Sequence, residues 1–80
     1  MVKQAWQIEK IIEVANCLQI NGSSGASTSE IIAAAFVLNR IEFLPAGYTD
    51  IIEAWDRLGE WQYYVRLIKC EYMQEIEAVP

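Results

Sequence analysis

The chain has 80 residues, of which 54% are hydrophobic and 21% are charged, with a formal net charge of −5. This composition excludes a disordered chain, and the length allows one small domain. The longest apolar run, Ile31–Leu38, is shorter than the ~20 residues that span a bilayer, so a transmembrane helix is also excluded. Glu9, Lys10 and Glu13 stand where a signal peptide needs an apolar stretch, so we expect a cytoplasmic protein.

Two helices are predicted in the first half of the chain. The first covers about residues 2–20, because its apolar residues recur at helical spacing. These are Ala5, Ile8, Ile11, Ile12, Ala15 and Leu18. A loop of small residues, 21–29, follows it. Ser27 and Glu30 then fit a capping box that opens a helix over about 28–40, and its apolar Ile31–Leu38 stretch predicts the buried central element.

Two further helices are predicted after Phe43 and Leu44, which we expect to lie beneath the domain. Asp50 and Glu53 form an N-cap pair for a short helix over about 51–58. Gly59 either ends this helix or lies within a longer one, and the cost of ~1 kcal/mol for an internal glycine favours the first. The last helix covers about 60–78. The sequence therefore predicts an all-α fold, a small three- to four-helix bundle in a single domain over residues 1–80.

The residue types needed for most enzyme chemistry are missing. The chain has no histidine, which removes the commonest general base and metal ligand and any Ser-His or Cys-His nucleophile. Cys17 and Cys70 cannot form a zinc site by themselves, and we expect two buried free thiols rather than a disulfide. The loop sequence GSSGAS lacks the Lys-Ser/Thr of a phosphate-binding loop. We expect no enzymatic activity, no cofactor and no bound metal.

The aromatic residues near the C-terminus exceed what one core-facing stripe needs. Trp61, Val65, Ile68, Tyr72 and Ile76 share one helix face, which we interpret as core. Tyr63, Leu67 and Cys70 lie on nearly the opposite face, and Trp6 lies off the main apolar face of the first helix. Neighbouring helices could cover these side chains. Alternatively, Tyr63 and Trp6 belong to a docking surface, where rigid aromatic side chains dominate binding energy.

Acidic residues form three like-charged pairs at i, i+4 spacing, which folding alone does not explain. The pairs are Glu9/Glu13, Asp56/Glu60 and Glu71/Glu75. They either serve solubility or form an acidic face that meets a basic partner. The six basic residues are scattered singly, which disfavours direct contact with nucleic acid.

These patterns favour a non-catalytic protein-binding module that docks on a basic surface of a larger partner. By type, small acidic inhibitors or adaptors of phage or plasmid origin, such as anti-CRISPR proteins, work in this way. The predicted partner-binding residues combine the off-stripe aromatic and apolar side chains with the paired acids. They are Trp6, Glu9, Glu13, Asp56, Glu60, Tyr63, Leu67, Glu71 and Glu75.

Two alternatives remain open. The second aromatic stripe could be the seam of a homodimeric structural or regulatory protein. The helices that flank residues 39–49 could instead form a helix-turn-helix that binds DNA. The would-be recognition helix carries Asp50, Glu53 and Asp56 against one Arg57, which is the wrong charge for a DNA groove.

Overall fold

A computed structural model describes residues 5–76 of the chain, and within this range it contains four α-helices and no β-strand. The helices are α1 (Trp6–Asn21), α2 (Thr28–Leu38), α3 (Ile51–Arg57) and α4 (Trp61–Leu67). A 3-10 turn, Ile41–Phe43, follows α2. The all-α class predicted from the sequence is confirmed.

Helix α1 packs its predicted apolar face against the rest of the chain. Ile8, Ile11, Ile12, Ala15 and Leu18 are all buried, and Ala5 packs beside them. Val14, which the periodicity did not select, is also buried, because it joins Ala15 and Leu18 in a second cluster against Ala34 of α2. The helix ends at Asn21, and Gly22 caps it: its N–H donates to the Leu18 carbonyl, and its φ of 77° then turns the chain away from the helix. Residues 2–4 of the predicted helix lie outside the described residues.

Helix α2 is the central element, as its apolar sequence predicts. Ser27 caps it with the predicted capping box: its hydroxyl accepts from the Glu30 N–H, and its own N–H donates to the Glu30 carboxylate. Three consecutive alanines, Ala33 to Ala35, are buried together with Ile32 and Val37. Their small side chains leave room for close neighbours, and α1, α3, α4 and the 3-10 turn all contact α2.

The C-terminal segment differs from the predicted continuous helix over 60–78. Regular α-helix ends at Leu67 and is followed by a π-helical turn, Ile68–Tyr72, and a 3-10 turn, Met73–Glu75. Across the π-turn, Ile68 and Tyr72 remain on the same face: Ile68 belongs to the main core cluster and Tyr72 packs against it. The predicted core stripe is therefore confirmed, with Val65 and Ile68 buried and the other members half-buried against them. Residues 77 and 78 of the predicted helix lie outside the described residues.

Gly59 separates α3 from α4, which supports the interpretation of this glycine as a helix stop. Asp50 caps α3 by accepting from the N–H groups of Ile52 and Glu53. The helix then ends at Arg57, and Gly59 turns the chain with a φ of 55° before α4 begins at Trp61. The turn lets α4 start in a new direction across α2.

The end of α2 is held by a side chain from the π-turn. Asn39 adopts the left-handed conformation, and the backbone N–H of Arg40 reaches back to the Ala35 carbonyl in a Schellman arrangement. The Lys69 ammonium donates to the carbonyls of Phe36 and Val37 and to the Asn39 side-chain oxygen, at 3.1, 3.4 and 2.8 Å. Partial burial lowers the pKa of Lys69, but these three oxygens stabilise its charged form. The lysine thus ties the π-turn to the central helix.

The cysteines are both free thiols, as predicted, but the expectation that they are buried is wrong. Cys17 is only half-buried on α1, and Cys70 is exposed on the π-turn. Cys70 follows the buried Ile68 by two residues, so its side chain points away from the core face of this segment.

Replacing Gly59 with alanine should lower the free energy of unfolding by about 1 kcal/mol, because a Cβ atom is disfavoured at positive φ. Gly25→Ala is the matched control, since Gly25 also faces open space but does not have a positive φ. The control should be neutral or slightly stabilising. Urea unfolding followed by circular dichroism measures both, and equal losses would contradict the assigned turn.

Replacing Lys69 with methionine should lower the free energy of unfolding by about 1 kcal/mol, because the carbonyls at the end of α2 lose a cationic donor. For a domain of this size that is a drop of roughly 4–8 °C in melting temperature. Lys10→Met is the control, because Lys10 makes one exposed pair with Glu13 and should cost less than ~0.5 kcal/mol. If the Lys69 variant had the same melting temperature as the control, the contacts of Lys69 with α2 would contribute nothing to stability.

Candidate protein-docking surface

Four aromatic side chains from α1 and α4 form a continuous row, which we call the aromatic row: Trp6, Trp61, Tyr64 and Tyr63. Successive ring centroids are 6.1, 6.3 and 5.6 Å apart, and each pair of rings meets edge to face. Such pairs contribute about 0.5–1.5 kcal/mol beyond the area they bury. The rings therefore hold one another in place across two helices.

The two ends of the aromatic row are open to solvent while its middle is anchored in the core. Trp6 is 61% exposed and Tyr63 is 64% exposed. Between them, Trp61 and Tyr64 are half-buried and pack against the main core cluster. The exposed rings are thus attached to a fixed base.

Helix placement explains how residues so distant in sequence meet. Trp6 is the first residue of α1 and Trp61 is the first residue of α4. A second contact joins α1 to the C-terminal segment: the Asn16 side chain donates to the Glu75 carbonyl at 3.2 Å. The C-terminal segment therefore follows α1 from its first turn to Asn16. The two helix starts therefore lie side by side.

The exposure of the aromatic side chains agrees with the core positions predicted for Trp61 and Tyr72, and the row adds a further member. Trp6 and Tyr63 are exposed, and Trp61 and Tyr72 pack against the core. Tyr64 had no predicted role, yet it links Trp61 to Tyr63. Helical spacing describes each helix separately, so it could not show that α1 and α4 meet at their first turns.

Two of the predicted acids lie beside the ends of the aromatic row. Glu9 follows Trp6 by three residues on α1, and Glu60 precedes Tyr63 by three residues at the start of α4. Residues at that spacing are surface neighbours on a helix, with Cβ atoms roughly 5–6 Å apart. Both carboxylates are exposed, and neither belongs to an ion pair among residues 5–76.

The other predicted acids are placed differently. Glu13 lies one turn beyond Glu9 and pairs with Lys10 at 3.4 Å. The like-charged pairs Asp56/Glu60 and Glu71/Glu75 do not lie on continuous α-helix. The Gly59 turn separates the first pair, and the junction of the π-turn with the 3-10 turn separates the second. The helical i, i+4 interpretation therefore holds only for Glu9/Glu13.

Leu67 is the predicted docking residue whose surroundings differ most from the expectation. It is half-buried and packs against the main core cluster, rather than lying on an open second stripe. α4 is covered more broadly than its spacing suggests, because α2 crosses it. The stripe proposed as a dimer seam is thus interrupted between Tyr63 and Cys70.

A second surface, which sequence reasoning missed, is an apolar groove beside the end of α2. It is lined by Ala35, Phe36, Asn39, Ile41, Leu44 and Ile51. Ile41 is 58% exposed at its edge, and nearby Ile52 is 71% exposed. Leu44 and Phe43 pack partly against the core, as expected. The groove combines residues of α2, the 3-10 turn and the start of α3, so no periodic pattern within one helix could indicate it.

The groove is bordered by an ion pair that also contacts an aromatic ring. Arg40 Nε donates to Glu42 at 2.6 Å, and its guanidinium lies 5.0 Å from the centre of the Phe43 ring. The hydrogen bond from Arg40 lowers the pKa of Glu42 below its ordinary value. Ring, guanidinium and carboxylate thus form one compact group.

The described residues assemble no metal-binding group. Within residues 5–76, no three His, Cys, Asp or Glu side chains come together in a way that could hold a metal ion. In the same range, no helix is both long and apolar enough to cross a bilayer.

Comparison with known proteins adds no relative: no family model, curated protein or solved structure matches this chain.

Alanine substitutions at the exposed end of the aromatic row and at its half-buried middle should have different effects on stability. Trp6→Ala should lower the free energy of unfolding by about 1 kcal/mol, since mainly one edge-to-face contact is lost. Trp61→Ala should lower it by about 3 kcal/mol, because Trp61 also packs against the core. Chemical denaturation followed by circular dichroism measures both changes. Equal losses would show that Trp6 is a structural residue rather than an exposed terminus.

Proposed function

We propose that this protein is a non-catalytic binding module that docks on a basic surface of a larger protein through the aromatic row. The observation that carries the proposal is the row itself, in which two exposed rings are held by two half-buried ones. Exposed Trp and Tyr side chains are the residues most enriched among binding hot spots.

Preorganisation supports this use of the rings. A flexible side chain loses roughly 0.5–1.5 kcal/mol of conformational entropy when a partner immobilises it. Trp6 and Tyr63 already contact Trp61 and Tyr64, so part of this ordering has occurred before binding. More of the contact energy is then available for affinity.

The distribution of charge supports a basic partner. Every basic side chain among residues 5–76 is engaged within the molecule. Lys10 pairs with Glu13, Arg40 with Glu42, Arg57 donates to the Tyr48 hydroxyl, Arg66 lies over Trp55, and Lys69 caps α2. Beside the row, Glu9 and Glu60 form no ion pair with any other residue of 5–76, and the chain has a net charge of −5. Such an excess speeds encounter with a positively charged surface and disfavours acidic partners.

The mode of action that fits these features is occupation of a partner's surface. The described residues have a radius of gyration of 11.8 Å, so a module of this size can cover one site on a larger protein. A nucleic-acid-handling protein is a suitable target, because its binding site is basic. The proposed role is that of a cytoplasmic inhibitor or adaptor, of the type that phages and plasmids encode against host systems.

A homodimer is the second candidate, and the apolar groove is the observation that favours it. Ile41, Ile51 and Ile52 form an exposed apolar border that a second copy could cover. Like net charges oppose this association. DNA binding by α3 has less support, because α3 exposes Glu53 and Asp56.

Affinity capture from a lysate of the source organism should separate these candidates. The wild-type bait should retain a partner that moderate salt releases, because salt screens the acidic contacts. Trp6→Ala/Tyr63→Ala should lower the affinity for that partner at least about tenfold, as expected for two hot-spot rings. The groove variant Ile41→Ala/Ile52→Ala removes apolar side chains of similar exposure and should retain the partner.

Circular dichroism establishes that both variants are folded. A partner lost by the groove variant and kept by the row variant would contradict the proposed docking surface. Recovery of the bait alone, with a melting temperature that rises with protein concentration, would favour the homodimer.

A further inference from the structure

We infer that the partner presents arginine side chains to the aromatic row, with guanidinium groups placed on the exposed rings of Trp6 and Tyr63 and paired with Glu9 and Glu60. This inference rests on the proposed docking function and names the chemistry that the same surface recognises.

The two ends of the aromatic row have the same arrangement. An exposed ring stands at each end with an exposed carboxylate three residues away: Trp6 with Glu9, and Tyr63 with Glu60. A guanidinium within about 6 Å of a ring centre gains cation–π attraction. The neighbouring carboxylate, with its Cβ only roughly 5–6 Å from that of the aromatic residue, can then accept its N–H groups. Each end thus has the ring and the carboxylate, and the partner would supply the cation.

The same chain contains a complete group of ring, guanidinium and carboxylate at another position. Arg40 lies 5.0 Å from the Phe43 ring centre and 2.6 Å from the Glu42 carboxylate. Arg66 lies 5.6 Å from the centre of the Trp55 ring. At the aromatic row the rings and the carboxylates are present, but no basic side chain of residues 5–76 forms an ion pair or a cation–π contact with them.

The chemistry of the aromatic row favours arginine over lysine. Arginine is planar and weakly hydrated, stacks on aromatic faces and binds a carboxylate through two parallel hydrogen bonds. Lysine is a strongly hydrated point charge and gains less from a ring beside a carboxylate. An acidic surface without rings would not separate the two residues, whereas the aromatic row should.

Titration with two peptides of equal charge tests the inference. Hexa-arginine and hexa-lysine peptides are added to the protein at physiological salt, with binding measured by calorimetry and located by the indole N–H resonances of the tryptophans. Hexa-arginine should bind at least about fivefold more tightly, because only guanidinium groups gain the ring contact. The resonances of Trp6 and Trp61 should shift, and that of Trp55 should not.

Matched variants separate the site from net charge. Glu9→Gln/Glu60→Gln should weaken hexa-arginine binding about tenfold, since two charge-assisted hydrogen-bond sites are lost. Glu42→Gln/Glu53→Gln removes the same charge from exposed positions outside the row and should weaken it less than about twofold. Trp6→Ala/Tyr63→Ala should abolish the preference for arginine over lysine.

Equal binding of the two peptides, equal losses in the two glutamine variants, or no binding at all would overturn the inference. If the row variant still loses the captured partner in that event, the docking function stands and only the arginine assignment fails. If the row variant retains the captured partner as well, the proposed function fails with it.

Discussion

The close packing of α2 is the constraint on which the rest of the structure depends. Ala33, Ala34 and Ala35 are buried in succession, so this helix has no face left for solvent over that turn. It must be covered from several sides, and α1, α3, α4 and the 3-10 turn each supply part of the cover. Because α1 and α4 each give one face to α2, their other faces can carry the exposed rings of the aromatic row. The apolar groove lies instead at the end of α2, where Ala35, Phe36 and Asn39 form part of its lining.

The elements nearest the local sequence signals were the most predictable. The capping box at Ser27, the N-cap at Asp50 and the stop at Gly59 each depend on a few adjacent residues, and all three occur in the structure. The π-turn after Leu67 could not be predicted in this way. Ile68 packs in the core there, and Lys69 bonds to the end of α2. Lys69 and Phe36 are 33 residues apart in sequence, so no local pattern reports their contact.

The candidate site was predictable in its parts but not in its assembly. Trp6 and Tyr63 could be selected because they fall outside the apolar stripes of their helices. Their connection through Trp61 and Tyr64 depends on α1 and α4 beginning side by side, which no spacing within one helix reports. Periodicity was misleading for Leu67, because α2 crosses α4 and covers a wider strip than one stripe.

The start of α1 gives the aromatic row a thermodynamic coupling to the fold. Ala5 provides no side-chain cap, unlike Ser27 at the start of α2, and the first turn of α1 is closed by backbone hydrogen bonds from the Ile8 and Glu9 N–H groups to the Ala5 carbonyl. The contact of Trp6 with Trp61 adds a tertiary restraint that opposes local opening of this turn. A partner that binds Trp6 would therefore also stabilise the first turn of α1. The bound module would then exchange its amide protons in this turn more slowly than the unbound one.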